Sequence, residues 1–531
     1  MHKPLRCAAL VAGLLLGHFA AADDDYTQGG FFQRTLTLKP VGTFETGIFD
    51  DSAAEIVAYD AHSRRVFVVN GSDGAIDVLD IRRPSQPVKV GTVDVSDLGE
   101  PTSVAVKDGL VAVAVDSGDV SLRGNVVFLK ASNLKRINTV EAGFLPDAVT
   151  FSPNGRYVVV SNEGEPNDEY TIDPEGSVSI IDLRRGAKRA RVRHATFDRF
   201  NSQVDELVAS GVRVFGPNAT LAQDLEPEFA AVDARSRFAY VTLQENNALA
   251  IVNLRRAKVV AIKPLGFKDH SLPENQLDAS NRDDAINIRN WPVFGMYQPD
   301  SIASFRSQGK TFLITANEGD ARDYDGFSEE ERMGDLPLDP TAFPDAATLQ
   351  LDENLGRLNS TTTLGDDDGD GDFDRLFAYG ARSFSIWSST GELVFDSGSE
   401  LEYTTANLLP DDFNSTNDEN GSFDARSDDK GPEPEGVAVG RLLGRTYAFI
   451  GLERIGGIVV YDVSDPYAPI FQTYVNNRDF AGDAEAGTAG DLGPEGLTYV
   501  PWYESPNFRP LLIVGNEVSG TTTIFEIGLS F

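Results

Sequence analysis

Short apolar runs of four to six residues recur along the chain, rich in Val, Ile and aromatic residues and alternating with polar positions. A period of two marks half-buried β-strands, because successive strand side chains point to opposite faces. The runs come in triplets. In one unit residues 436–439 form a first strand, 447–450 a second and 458–463 a third. The third-strand pattern returns at 76–81, 126–129, 178–183, 249–254, 384–387 and 523–527, giving seven units. Triplets that are each followed by a further short strand predict an all-β fold, a seven-bladed β-propeller of four-stranded blades. The runner-up is a pair of smaller propellers or an array of β-sandwiches. No long segment keeps a 3.6-residue period, which argues against a helical solenoid. At about 73 residues per unit, the units exceed the ~40–45 of a compact blade. The excess falls in insertions near 186–225, 264–298, 323–380 and 388–432, expected on one face.

Acidic residues hold two recurrent places. At or just before the first strands stand Glu55, Glu100, Asp147, Glu228, Asp300, Glu435 and Glu495. Just after the second strands stand Asn70, Asp116, Glu163, Glu245, Glu318, Glu453 and Glu517. A blade runs up and down with its first strand nearest the axis, so both places fall at the same end of each blade. Seven blades would gather these side chains at one mouth of a central channel. Two carboxylates 4 Å apart repel by ~4 kcal/mol at an effective dielectric near 20. Such a ring needs protons or cations. Hard oxygen ligands suit Ca2+, Mg2+ or Mn2+, and Ca2+ is the expected ion, with a second divalent or transition metal ion as an addition. The candidate ligands are Asp147, Glu163, Glu228, Asp300, Glu318, Asp320, Glu435, Glu495 and Glu517. The competing view treats Pro-Glu-Gly and Asn-Glu-Gly as turn chemistry with solvated acids.

A separate calcium loop is read in residues 366–374. Asp366, Asp368 and Asp370 match positions 1, 3 and 5, Gly371 matches position 6, and Asp372 adds a further carboxylate. Position 12 is Phe377 rather than Glu, so a bidentate ligand has to come from elsewhere.

Charge narrows the partners. Among 531 residues, 46 Lys+Arg face 82 Asp+Glu, a net charge of −36. That balance argues against nucleic acid and against an anionic membrane surface. At the N-terminus His2, Lys3 and Arg6 precede an apolar run over 7–17 and then Ala20-Ala21-Ala22. This predicts a signal peptide over 1–22, cut after Ala22, and a single propeller domain over 23–531. The apolar run is too short to be a transmembrane segment. The sole cysteine, Cys7, would leave with it, which removes disulfides and thiol chemistry from the mature chain. A secreted or periplasmic protein is expected. There is no Gly-x-Ser-x-Gly elbow, no phosphate-binding P-loop and no His-x-x-x-His pair, so the corresponding hydrolase and zinc chemistries are set aside.

Residues 272–339, which include Leu272-Pro273-Glu274-Asn275 and the run from Thr315 to Tyr324, resemble the secreted propeller family called choice-of-anchor I. Gly431-Pro432-Glu433-Pro434-Glu435-Gly436 and Leu452-Glu453-Arg454 fit it too. The resemblance implies phosphoester hydrolysis of an atypical alkaline phosphatase kind, and a kinship with animal cell-surface glycoproteins. Under that reading Glu163 and Glu318 serve catalysis, with Arg322, Arg382 and Arg454 as phosphate clamps at the same mouth, because guanidinium forks match phosphate oxygens. The partner would be a small phosphoester substrate. The chain ends at Phe531 straight after the last strand, so a released or periplasmic form is expected. The alternative reading is a non-enzymatic, calcium-stabilised surface, adhesion or ligand-binding propeller.

Overall fold

A computed structural model of the protein describes residues 35–530. The expected signal segment lies outside the described residues. Seven four-stranded antiparallel sheets follow one another along the chain, over residues 57–94, 100–144, 146–196, 227–264, 302–396, 434–475 and 494–530. Strands within a sheet pair in chain order. The exception is the seventh sheet, whose outermost strand is Thr35–Glu45 from the start of the described chain, paired with Thr521–Ser530. First strands of successive sheets touch, and Pro494–Val500 of the seventh touches Val57–Asp60 of the first. The ring therefore closes on itself, which is the architecture of a β-propeller.

Hydrophobic patterning explains the layering. Second and third strands such as Tyr157–Asn162 and Ser177–Asp182 are buried almost throughout. Their neighbours lie on both faces, so both faces must be apolar. The core consists of clusters between adjacent sheets, as where Val69 and Val78 of the first meet Val113 and Val127 of the second. Outer strands face water on one side and carry little apolar signal. That is why Arg191–Thr196 and Leu393–Asp396, the fourth strands of the third and fifth sheets, fall inside stretches read from sequence as insertions. The true excursions begin after these strands, near 197 and 397.

Every long excursion leaves from one end of the ring. Residues 197–226, 265–301, 397–433 and 476–493 join the end of one sheet to the first strand of the next, and 318–382 joins a second strand to a third. The antiparallel order puts all these junctions on the same face. Among them, residues 277–293 and 333–378 build a small core of their own around Trp291, Met333 and Leu358.

Candidate functional site: an acidic axial channel

The first strands line a cavity of about 680 Å3 that runs along the ring axis. Asp147, Glu228, Asp300, Glu318, Glu435 and Glu495 form part of its wall. A repeated backbone device aims these groups. Where a first strand begins, a proline pairs with the end of the second strand and the register then slips, as between Pro146 and Val149, Pro227 and Ala230, Pro434 and Val437, and Pro494 and Leu497. The acid is the residue straight after that proline. It occupies a β-bulge, where an extra residue leaves the ladder and its side chain is re-aimed. The glycine that follows in the sixth and seventh sheets has a packing cause. A Cβ on Gly436 would lie 1.9 Å from the Glu495 carbonyl oxygen, and one on Gly496 would lie 2.5 Å from that of Glu55. Pro-Glu-Gly here is close packing between neighbouring sheets, not a solvated turn.

The same register corrects one sequence assignment. In the second sheet the bulge falls between Pro101 and Ser103, so Thr102 occupies the acid's place and Glu100 precedes the proline, exposed. The carboxylate ring has a gap there.

The acids gather in three trios. In each, one carboxylate oxygen per residue lies within 4.8 Å of the other two: Asp147, Glu163 and Glu228; Glu55, Glu495 and Glu517; Glu318, Glu433 and Glu453. Asp300 and Glu435 stand between trios. Asp300 feels Glu318, Asp147 and Glu453, whereas Glu435 feels Glu453, Glu318 and Glu495. Burial first, and neighbouring carboxylates second, hold Glu163, Glu228, Asp300, Glu435 and Glu495 well above the usual carboxylate range. The same causes push Asp147 up to about 7, and burial pushes Glu55 up to about 8. One oxygen on each of Glu228, Glu245, Glu435 and Glu495 is shut away from solvent and accepts no hydrogen bond.

The third trio differs. Lys430, 9% exposed, donates to Glu318 Oε1 at 2.7 Å and to the Gly319 carbonyl at 2.7 Å, and stands 3.3 Å from Glu433. Arg426 Nε donates to Glu433 Oε1 at 2.7 Å, and Arg454 Nε donates to Glu433 Oε2 at 3.1 Å. Arg454 also lies 3.2 Å from Glu453. Burial alone would raise Glu433, but these three cations together bring it down to about 2.

Two of the three arginines expected to clamp phosphate do not face the channel acids. Arg322 is 1% exposed, donates through Nε to Glu226 at 3.0 Å and through its terminal nitrogens to Asp224, and lies over the Phe215 ring at 4.4 Å. Arg382 is 4% exposed and is held by Glu402 and by the carbonyls of Asp278, Ser427 and Asp429. Both side chains fasten one excursion to another. Each is buried, and a buried guanidinium requires carboxylate and carbonyl partners. Arg454 does line the cavity, with its donors toward Glu433, Glu453 and Asn417.

Of the remaining expected residues, Asp320 lines the cavity and is open to it. In the 366–374 loop, Asp366 and Asp368 come together with Asp374 rather than with Asp370 and Asp372. Both Asp366 oxygens there accept backbone N–H groups, from Gly369 at 2.7 Å and Gly371 at 3.1 Å. Sequence reasoning missed Lys430, which sits in a long excursion with no periodic context. It also missed Glu165, whose Oε1 accepts from the Tyr324 hydroxyl at 3.1 Å. The adjacent Asn162-Glu163-Gly164-Glu165 run was the available signal for the latter.

Fold and site together define a β-propeller with a carboxylate-lined axial channel. The chain belongs to the choice-of-anchor I family, whose domain model matches residues 55–466. It is similar to Gigasin-3a of Magallana gigas, 33% identical over 191 residues, which are 34% of this chain and 67% of that protein. It is also similar to a mesenchyme-specific cell surface glycoprotein of Strongylocentrotus purpuratus, 27% identical over 323 residues, covering 51% of this chain and 40% of that one. Among solved structures, Kuenenia stuttgartiensis hydrazine synthase aligns with a TM-score of 0.46 at 12% identity, over 90% of this chain and 96% of that chain. Among the described residues, no helix is long and apolar enough to cross a membrane.

Proposed function

We propose that the protein is a seven-bladed propeller that acts at or beyond the cell surface and holds hard divalent cations, Ca2+ foremost, at the mouth of its channel. The surface placement follows the family and the printed description of the echinoderm relative as a cell surface glycoprotein. The observation that carries the cation reading is the set of orphaned buried oxygens on Glu228 and Glu495, each within a trio that, among the described residues, makes no ion pair with a Lys or Arg. A buried carboxylate oxygen without a partner is costly. Ca2+ binds oxygens at about 2.3–2.6 Å, so ligands across the ion stand about 4.6–5.2 Å apart. In each trio the three oxygens lie within 4.8 Å of one another, inside the reach of a single such ion. Asp147, Glu163 and Glu228 would hold one ion, with Glu245 beside them, and Glu55, Glu495 and Glu517 another. Bound there, the ions would supply charge neutralisation and Lewis acidity.

The ions would brace a ring whose inner strands would otherwise repel, giving a rigid surface or binding module. Metal analysis of the purified protein tests this directly. Two equivalents of calcium per chain are expected. Fewer than half an equivalent of any divalent metal, in folded protein dialysed against Ca2+, would refute it.

A second reading, a metal-dependent phosphoesterase, is favoured by one observation. Lys430 and Arg454 line the same cavity as Asp147, Glu228 and Asp300, which places cationic donors beside the candidate metal ligands. In this reading Glu163 and Glu318 flank the substrate. Hydrolysis of p-nitrophenyl phosphate with Ca2+, Mn2+ or EDTA decides it. Turnover that depends on metal and drops in an Arg454→Ala variant supports catalysis, and no turnover with any metal removes it.

A further inference from the structure

The chain is strongly acidic overall, yet one exposed region is nearly all cationic. Six of the ten residues from 184 to 193 are Arg or Lys, and none is acidic. They are Arg184, Arg185, Lys188, Arg189, Arg191 and Arg193, all exposed. They lie on the turn and outer strand that finish the third sheet. That turn is at the opposite end of the blade from the acidic mouth, because third strands run away from it. Arg191 and Arg193 share one face of Arg191–Thr196, two residues apart.

The patch continues onto the fourth sheet. Arg193 donates to the carbonyls of Arg255 at 3.2 Å and Leu254 at 3.3 Å. This brings Arg255, Arg256 and Lys258, also exposed, to the same edge. The only nearby carboxylate on this turn is Asp182, which Arg184 already holds through Nε at 2.9 Å. Among the described residues, none of the other eight cations makes an ion pair with a carboxylate. Arg184, Arg185, Arg189 and Arg191, with Asp182, line a surface cavity of about 350 Å3.

Acids outnumber bases in this chain, so unpaired bases packed side by side are not a shortage of partners. Like charges this close repel, and the arrangement is expected to persist where an external anion completes it. We propose that this edge binds an anionic polysaccharide through its carboxylate or sulfate groups. Guanidinium forks match such groups in paired hydrogen bonds.

Two other polyanions fit less well. An anionic membrane is a plane, and docking it would bring the rest of a −36 chain against like charge. The patch also has no exposed large apolar side chain between 184 and 193 to insert into lipid. Duplex nucleic acid is stiff over ~150 base pairs and meets the same repulsion. Single strands need exposed aromatic platforms, and the Tyr157 ring under Arg184 is 7% exposed. A flexible glycan can lie along this edge alone.

The test is heparin binding by the full chain, measured by titration across a range of NaCl concentrations. The wild type should bind with an affinity that falls steeply with salt. The Arg185→Glu, Arg189→Glu, Arg191→Glu triple variant should bind about tenfold or more weakly. The control variant Arg235→Glu, Arg306→Glu, Lys310→Glu carries the same charge change on the fourth and fifth sheets and should change affinity less than about twofold. Melting curves establish that both variants fold. If the first triple variant melts early, Arg185→Gln with Arg189→Gln replaces it and should still weaken binding. No heparin binding, or equal loss in both triple variants, overturns the proposal. Tighter binding to duplex DNA or to phosphatidylglycerol vesicles than to heparin, lost in the first variant, would overturn the choice of polysaccharide.

Discussion

Two trios of the same chemistry stand in one channel and are satisfied in opposite ways. Glu318, Glu433 and Glu453 are met by Lys430, Arg426 and Arg454. Asp147, Glu163 and Glu228 have only other acids around them. The difference lies in the excursions. Residues 397–433 carry Arg426 and Lys430 to the fifth and sixth sheets, whereas the excursion of 197–226 delivers Asp224 and Glu226, already held by Arg322. A tethered ammonium and a bound metal ion thus answer the same electrostatic demand. The first is fixed in the chain, and the second depends on what the medium supplies.

The sharpest way to break this contrast is Lys430→Met. Removing one partner of a buried ion pair leaves an uncompensated charge and costs about 3–5 kcal/mol. Denaturant unfolding in EDTA should show that loss, and added Ca2+ should recover part of it, because Glu318 then loses its ion-pair partner. A loss that Ca2+ leaves untouched would mean that Lys430 acts through packing alone.

Chelation of the wild type comes next. Each site lost from a hundredfold excess of ligand removes about 2.7 kcal/mol, so EDTA should lower the melting temperature and Ca2+ restore it. The effect should grow with pH. In the chelated protein Asp147 and Glu55 titrate near 7 and 8, far above their unfolded values. The native state then holds more protons than the unfolded state between pH 4 and 8, so stability falls as pH rises through that window. Added Ca2+ should flatten the curve. A flat curve without Ca2+ would show that the ring carries another counter-charge.

Glu228→Gln should change sign with conditions. In EDTA, at a pH high enough to ionise the ring, it relieves repulsion and stabilises by about 1 kcal/mol, while in Ca2+ it weakens binding by calorimetry. The smallest effect is expected in the exposed 366–374 loop. Asp368→Asn should shift stability by less than about 0.5 kcal/mol, because this loop folds round backbone donors to Asp366. A large Ca2+-dependent shift there would move the main cation site away from the channel.

The sequence was most legible where burial is two-sided. Second and third strands such as Arg65–Asn70 and Ile458–Asp462 are continuous apolar runs, and the acids at their ends could be placed on one face by counting reversals alone. Outer strands were expected but not located, as where Arg191–Thr196 alternates charged residues with a single buried Ala195. Glu100 was placed one step out of register because a bulge cannot be seen in spacing. Arg322 and Arg382 were read as ligand-facing because they fall after a second strand or before a third, at the mouth, whereas their partners Glu226 and Glu402 lie 96 and 20 residues away in sequence. Lys430 was invisible for the same reason: its role exists only once an excursion folds back over the axis.

The seventh sheet is stitched from both ends of the described chain, with Thr35–Glu45 laid against Thr521–Ser530. During synthesis the early strand leaves the ribosome long before its mate. It must wait as an open edge, of the kind that invites mispairing, until the last strand arrives. Native closure therefore waits until residues 521–530 have been made, and the interval before it is when this open edge is most exposed to mispairing.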